Sequence, residues 1–443
     1  MAEFNQHPLR DLLEKELQQR IFPPLTAPAQ LCQWMFTLAP SSRASEFACL
    51  QQYAAAQGIL LQEGDVDLNL PLGDVMLRWE RHSEFSTYSF IRHTAEQQFC
   101  EPSTYLPDPD WFSPLPGQLF RVIQLLIVPE PIAASKRLPP TDLPDALAPA
   151  FADEHLISSL VADGQARIWT DFRKHPEGAG RMLLAIHQPM APSALGRLVQ
   201  QLFDLGNYRK LSLLAFPSAR QALGQLHQLE QQLAAITQQI EHQKSPDDLL
   251  LQQISLLSAQ TEHLIASNSA RLDACHAYYQ LTLDRLKALG EQRVAGMMTL
   301  QDFSERRLTP AWRTARSVQS RQLNLSSRLG RSTELLRTRI NLQLQRQNTS
   351  LLASMAQRAR LQLNLQRSVE RISVVAISYY AVQLVDKGLL SLSYFVPELP
   401  LKLLQSMSLP LVIGATALVL WRLHRRALRQ PADTTRATAQ AAD

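Results

Sequence analysis

The stretch "RSVERISVVAISYYAVQLV", Arg367 to Val385, decides how the rear of this 443-residue chain is read. Its first five residues hold two arginines and a glutamate, and from Ile372 to Val385 there is no charge. Fourteen uncharged residues are too few to cross a bilayer core, which needs about 20. The apolar run resumes after Asp386-Lys387 as "GLLSLSYFV", so the expected span runs from about Val369 to Leu390. A second run, Leu403–Trp421, is free of charge and ends in "WRLHRRALR". Pro410 and Gly414 inside it are tolerable in a membrane helix.

The flanking charges give a consistent orientation. Arg358, Arg360, Arg367 and Arg371 precede the first run, and Arg422, Arg425, Arg426 and Arg429 follow the second. The connector balances Asp386 and Glu398 against Lys387 and Lys402. Basic flanks stay on the cytoplasmic side. The reading is therefore a two-pass hairpin with head and C-terminus in the cytoplasm. Arg367, Arg371, Arg422, Arg425 and Arg426 would meet lipid headgroups. In an oligomer, Ser373, Ser378, Tyr379 and Tyr380 would be placed to line a pore.

Upstream, residues 311–371 contain twelve arginines, no lysine, no aspartate and only Glu334 and Glu370 as acids. Proline is absent from Ala311 until Pro397. One helix over 311–371 would span roughly 90 Å, longer than a single domain core can cover. Leu329, Leu336, Ile340, Leu351, Met355, Leu361 and Leu365 form an interrupted apolar seam, so the segment must pack against other long helices. Lacking acidic partners at i+4, its arginines suit another chain, anionic lipid or the acidic head.

Residues 218–243 read as a Gln-rich helix. "KSPDD" (244–248) starts a second, with Ser245 as cap and Pro246 at the first position. That helix runs to about Leu308, and Pro310 predicts a break or kink.

Residues 1–217 read as mixed α and β. The spacing in "HPLRDLLEKELQQR" predicts a helix. Strands are expected at Leu31–Leu38, Val75–Arg81, Thr87–Ile91, Phe120–Val128, Leu156–Ala162, Ala166–Phe172 and Met182–His187, with a hairpin at Asp163-Gly164. Segment 129–150 has six prolines and reads as a loop. "SALGRLVQQLFDLGNYRKLSLLAF" predicts a closing amphipathic helix. The fold class is thus α+β: a cytoplasmic head (1–217), a coiled-coil-like stalk (218–371), a transmembrane hairpin (372–423) and a disordered basic tail (424–443).

Charge divides the same way. Residues 1–217 carry 17 Lys/Arg against 24 Asp/Glu, net −7; residues 218–443 carry 27 against 16, net +11. Such a split reports an interaction with a membrane or another polyanion rather than a fold. Cys32, Cys49, Cys100 and Cys275 form no CxxC pair, so reduced thiols are expected. The N-terminus lacks the apolar core of a signal peptide.

Candidate chemistry is sparse. In "RWERHSEFSTYSF" (78–90), a strand would put Arg78, Glu80, His82 and Glu84 on one face. A carboxylate beside a histidine can do acid–base work; the plainer reading is a salt-bridged hairpin. "RIWTDFR" (167–173), carrying Asp171 and Arg173, alternates similarly and could pair with it, giving a polar face for an anion or a partner. "HPEGAGR" (175–181) has no Walker lysine, and "HAYYQL" (276–281) suits interhelical packing. No cofactor or metal motif is present. Nucleic-acid binding is not expected, because the arginine-rich segment has Trp312 as its only aromatic.

Over nearly its whole length the chain resembles a bacterial family of membrane-anchored proteins, the domain-of-unknown-function family numbered 3422. The resemblance is carried by "HPLR" (7–10), "RWERHSEFSTY" (78–88), "VADGQARIWTDFR" (161–173), "RLVQQLFDLGNYR" (197–209), "AYYQL" (277–281) and above all "QNTSLLASMAQRARLQLNLQRSVERISVVAISYY" (347–380). It departs at "ELQQRIFPP" (16–24), where a His-Ala-Arg-Pro-like sequence is expected. The resemblance implies membrane anchorage in the bacterial inner membrane and supplies no activity. In architecture the reading is also similar to CorA-type magnesium channels, but the connector "DKGLLSLSYFVPELPLK" lacks their Gly-Met-Asn triplet. The expected function is a non-enzymatic scaffold that self-assembles through its helices or binds a partner at the lipid bilayer. The alternatives are a CorA-like channel and a tethered enzyme using the Arg78–Glu84 strand.

Overall fold

A computed structural model describes residues 7–10, 13–14, 21–129, 143, 147–152, 156–393 and 401–427. Most of the N-terminal helix expected at 7–20, most of the proline-rich segment and nearly all of the basic tail lie outside these residues.

Nine strands form one mixed sheet: β1 Ala29–Thr37, β2 Asp67–Leu72, β3 Val75–Arg81, β4 Phe85–Arg92, β5 Gln118–Pro129, β6 Ile157–Val161, β7 Ala166–Thr170, β8 Gly180–Ile186 and β9 Gln292–Arg293. Their order is β2-β3-β4-β1-β5-β8-β7-β6-β9. Every adjacent pair is antiparallel except β5 with β8. The helices are α1 Arg43–Ala56, α2 Pro192–Leu211, α3 Ala215–His242, α4 Asp247–Ala288, α5 Leu300–Ser393 and α6 Leu401–Ala427.

All seven expected strands are present, with ends shifted by a few residues. The Asp163-Gly164 turn joins β6 to β7, and Ala162, Asp163 and Gly164 all have positive φ. The sequence reading did not include β2, α1 or β9. β2 reads "DLNLPL", where Pro71 interrupts the alternation and suits the edge position it takes. β9 has two residues and no pattern of its own.

Successive side chains of a strand point to opposite faces, and both faces of this sheet are covered. Leu31, Leu125, Ile127, Ile168 and Leu184 pack with Leu198, Val199, Leu202 and Phe203 of α2. On the other face Trp34, Leu77, Trp79, Tyr88 and Phe90 pack with Leu50 and Ala54 of α1 and with Tyr105 and Trp111. A further cluster there joins Leu126, Trp169 and Leu183 to Leu147 and Phe151. Burial on both sides explains why "FRVIQLLIV" reads as a nearly continuous apolar run.

By contacts the chain divides into two compact units, Met1–Leu335 and Leu336–Asp443. The first unit joins the sheet to α3, α4 and the start of α5. Leu226, Leu233 and Ile240 of α3, Leu250, Ile254 and Leu257 of α4, and Val318, Leu325 and Leu329 of α5 are buried. Arg321 of α5 makes a two-pronged pair with Glu230 of α3, at 3.0 and 2.6 Å. α5 does not break at Pro310 but runs through it. One missing backbone donor removes a single hydrogen bond from a helix that neighbours hold in place.

The second unit overturns the expected membrane hairpin. Among the described residues no helix is long and apolar enough to cross a membrane. The two-pass topology and the inner-membrane localisation are corrected accordingly, and Arg367, Arg371, Arg422, Arg425 and Arg426 do not flank membrane-crossing helices. In α5 the charge-free part, Ile372–Val385, extends roughly 21 Å against a core of about 30 Å. Lengthening it draws in Asp386-Lys387 or Arg371. In α6 the uncharged run is broken by Gln405, Ser406, Ser408 and Thr416. The two helices nevertheless meet. Ser378 Oγ lies 2.8 Å from Thr416 Oγ1, and Ser408 Oγ donates to Asp386 Oδ1 at 3.5 Å. Positions 378 with 416 and 386 with 408 fit one antiparallel register. Of the residues read as pore-lining, Ser378 is buried in that contact, and Ser373 donates to Val369 O at 2.8 Å. Tyr379 and Tyr380 are exposed and meet edge to face at 5.8 Å.

Candidate functional site

The Arg78–Glu80 part of the segment is closed, while His82 and Glu84 are half-buried. Arg78 is 1% exposed. Its Nη1 donates to Asp67 Oδ2 at 2.5 Å and its Nη2 to Glu80 Oε1 at 2.9 Å. His82 stacks on Phe85, with ring centroids 4.1 Å apart. Glu84 accepts from Arg271 Nη1 at 3.0 Å and from Tyr278 Oη at 3.1 Å, both on α4. These groups bind strand to strand and sheet to helix.

The second polar segment does not pair with the first. β4, β1, β5 and β8 lie between β3 and β7, which separates them by roughly 24 Å at about 4.8 Å per strand. Asp171 ends β7 as a buried turn-forming carboxylate. It accepts from the backbone N–H of Arg173 at 3.1 Å and of Ala152 at 3.3 Å, and His175 Nε2 lies 3.0 Å away. The turn forces Phe172 into the left-handed region, φ 52°, which a bulky residue adopts only when its surroundings impose it.

Behind Phe172 is a pocket of about 280 Å³. It is lined by the N-terminal part of β5, the loop between β7 and β8, and the second half of α2. Its lining includes Arg121, Arg173, Lys174, Arg181, Arg209 and Lys210, and no acidic residue. Arg181 is committed to Glu177, at 2.7 and 2.8 Å, and to Ala150 O. Among the described residues the other five cations have no carboxylate partner.

Arg121, Arg209 and Lys210 are held from behind. Arg121 is 9% exposed and its Nη1 donates to Asn207 Oδ1 at 2.7 Å. Asn207 Nδ2 donates in turn to Gln33 Oε1 at 3.1 Å, and Gln33 Nε2 to Ser89 Oγ at 2.9 Å. This buried amide chain presents an oxygen to the guanidinium. Gly206 makes room for it, because a Cβ there would sit 2.2 Å from Arg121 Nη2. Arg209 lies over the Phe172 ring, 3.5 Å from its centroid, and Phe172 stacks on Phe303 at 4.6 Å. Its Nη1 is buried and has no hydrogen-bond partner among the described residues. Lys210 Nζ donates to Phe120 O at 2.9 Å.

Burial without a counter-charge lowers Arg121 from its ordinary value to about 9. Burial, then the Arg121 charge, lowers Arg209 to about 9 as well. Lys210 is lowered by burial and by its cationic neighbours. Among the described residues no group of three or more His, Cys, Asp or Glu is placed to hold a metal ion.

Residues 5–427 match the family described as Protein of unknown function (DUF3422). The chain belongs to that family. No curated protein and no solved structure gives a significant match.

Two segments quoted for the resemblance to DUF3422, 161–173 and 197–209, supply Phe172, Arg173, Gly206 and Arg209 to one pocket. Of its cations, sequence reasoning named Arg173 alone. A usable signal was present in "FRVIQLLIV", where a lone arginine enters a strand with both faces buried. "NYRKL" gave no signal, since basic residues in a helix's last turn are ordinary.

Proposed function

We propose that this protein is a non-enzymatic assembly protein whose long α5 helix packs against a neighbouring copy of the chain. One observation carries the reading: every residue of α5 from Asn341 to Val369 is exposed. This is roughly 43 Å of helix. Helical stability comes mainly from packing an apolar face, and here that face has no cover. Leu344, Leu351, Met355, Leu365 and Val369, each more than half exposed, recur at the three- and four-residue steps of a coiled-coil seam. Asn348, Arg358 and Gln362 interrupt it, which costs stability and selects register.

The occupant is a second copy because the chain carries the complementary charge. The arginines beside the seam belong to a rear half of net +11, and the front half is net −7. Opposed potentials speed association and suppress wrong pairings. The channel alternative required two crossing helices and is not carried forward. The enzyme alternative required an open Arg78–Glu84 face, whereas Arg78 is enclosed by its partners.

The test is sedimentation velocity of the full chain beside Leu351→Lys/Met355→Lys. Both positions are exposed, so the variant keeps its fold. The reading expects the variant to sediment as a monomer under conditions where the parent sediments as an oligomer. Identical profiles would refute it.

A further inference from the structure

We propose that the pocket between β5, β7, β8 and α2 is a binding site for a small phosphate-bearing anion. The inference is independent of how α5 assembles, since every lining residue lies within Met1–Leu335.

Charge balance is the first argument. Five cations converge on one cavity with no carboxylate among its lining residues. Like charges repel, and for the buried Arg121 and half-buried Arg209 desolvation adds to the cost. A fold with no use for the arrangement would neutralise it. Here an asparagine rather than an aspartate faces Arg121, which leaves the positive charge for something else.

Construction is the second. Arg121 is fixed by Asn207, Gln33 and Ser89, Gly206 is needed to seat it, and Arg209 lies against the ring of Phe172, which Phe303 backs. The left-handed Phe172 places its ring under Arg209. Arg209 Nη1 is then a buried donor with no acceptor among the described residues, and leaving such a donor unmade is costly. Arg173, Lys174 and Lys210 are exposed and supply charge where the cavity opens.

Ligand class follows from charge and size. Arginine forks match phosphate oxygens two at a time. A phosphomonoester carries about −1.5 to −2 at neutral pH, which suits several cations better than a single carboxylate does. A cavity of about 280 Å³ is just below the roughly 300–1,000 Å³ of drug-sized sites. The occupant is therefore a small diphosphate or phosphomonoester.

The experiment is isothermal titration of the full chain with pyrophosphate at low ionic strength. It is repeated for Arg209→Gln and for Arg173→Gln/Lys210→Gln, whose positions are exposed and keep the fold. Saturable binding near one per chain, weakened at least tenfold in both variants, is expected. Asn207→Asp supplies Arg121 with an internal carboxylate and should weaken binding by a similar factor. The proposal is overturned if pyrophosphate shows no saturable binding, or if both variants bind as the parent does. It is equally overturned if vesicles containing phosphatidic acid bind while free pyrophosphate does not.

Discussion

The guanidinium carbon of Arg209 lies 3.5 Å from the ring centroid of Phe172, a residue held in the left-handed backbone region. A turn fixed by Asp171 thus aims a ring at a cation contributed by a helix distant in sequence. Phe172→Leu keeps apolar volume but removes the ring face. A cation–π contact of this kind contributes about 0.5–2 kcal/mol, so urea unfolding should show a loss of that order.

Arg209 also gives the stability a pH signature. Its folded value is lowered to about 9, so below about 9 both states hold the proton and the cost of burying the cation is constant. From about 9 up to the ordinary arginine value the unfolded chain binds more protons, and stability rises with pH. Arg121 behaves alike. The parent should therefore gain Tm relative to Arg209→Gln as pH is raised from 8 to 10.5. A constant difference would contradict the lowered value of Arg209, and saturating pyrophosphate should flatten the rise.

Arg78 acts as a structural bolt. Removing one member of a buried ion pair typically costs about 3–5 kcal/mol because the partner charge remains buried. Arg78→Ala leaves Glu80 and Asp67 without their cation and should lower stability by that amount in chemical denaturation. Pyrophosphate affinity of the molecules still folded should be unchanged.

Glu46 is fully buried on α1, accepting from Tyr88 Oη at 2.6 Å and Trp79 Nε1 at 3.2 Å. Glu46→Ala strands two buried donors and should cost roughly 2–4 kcal/mol. Glu46→Gln keeps an acceptor and should cost less. Tryptophan fluorescence during urea unfolding reads both.

The sheet was legible where period and burial agree. β3 was placed to the residue, because "VMLRWER" is bounded by turns and both its faces are covered. α1 went unread because "RASEFACLQQYAAA" has a weak apolar stripe and buries a glutamate, against the usual pattern. The membrane reading of 372–423 fails for a related reason: absence of charge is not apolarity, and Ser373, Ser378 and Gln383 in the first run and Gln405, Ser406, Ser408 and Thr416 in the second lower it. The pocket was beyond sequence reasoning because its cations come from β5, the β7–β8 loop and α2. Only the topology brings Arg121 beside Arg209.

The account rests most on α5 packing against another copy, and light scattering on the purified full chain measures this directly. One chain has a mass of 49.9 kDa. An integral multiple of at least two, falling towards one in Leu351→Lys/Met355→Lys, is the predicted result. A mass of one chain at every concentration, unchanged by the substitutions, would contradict it.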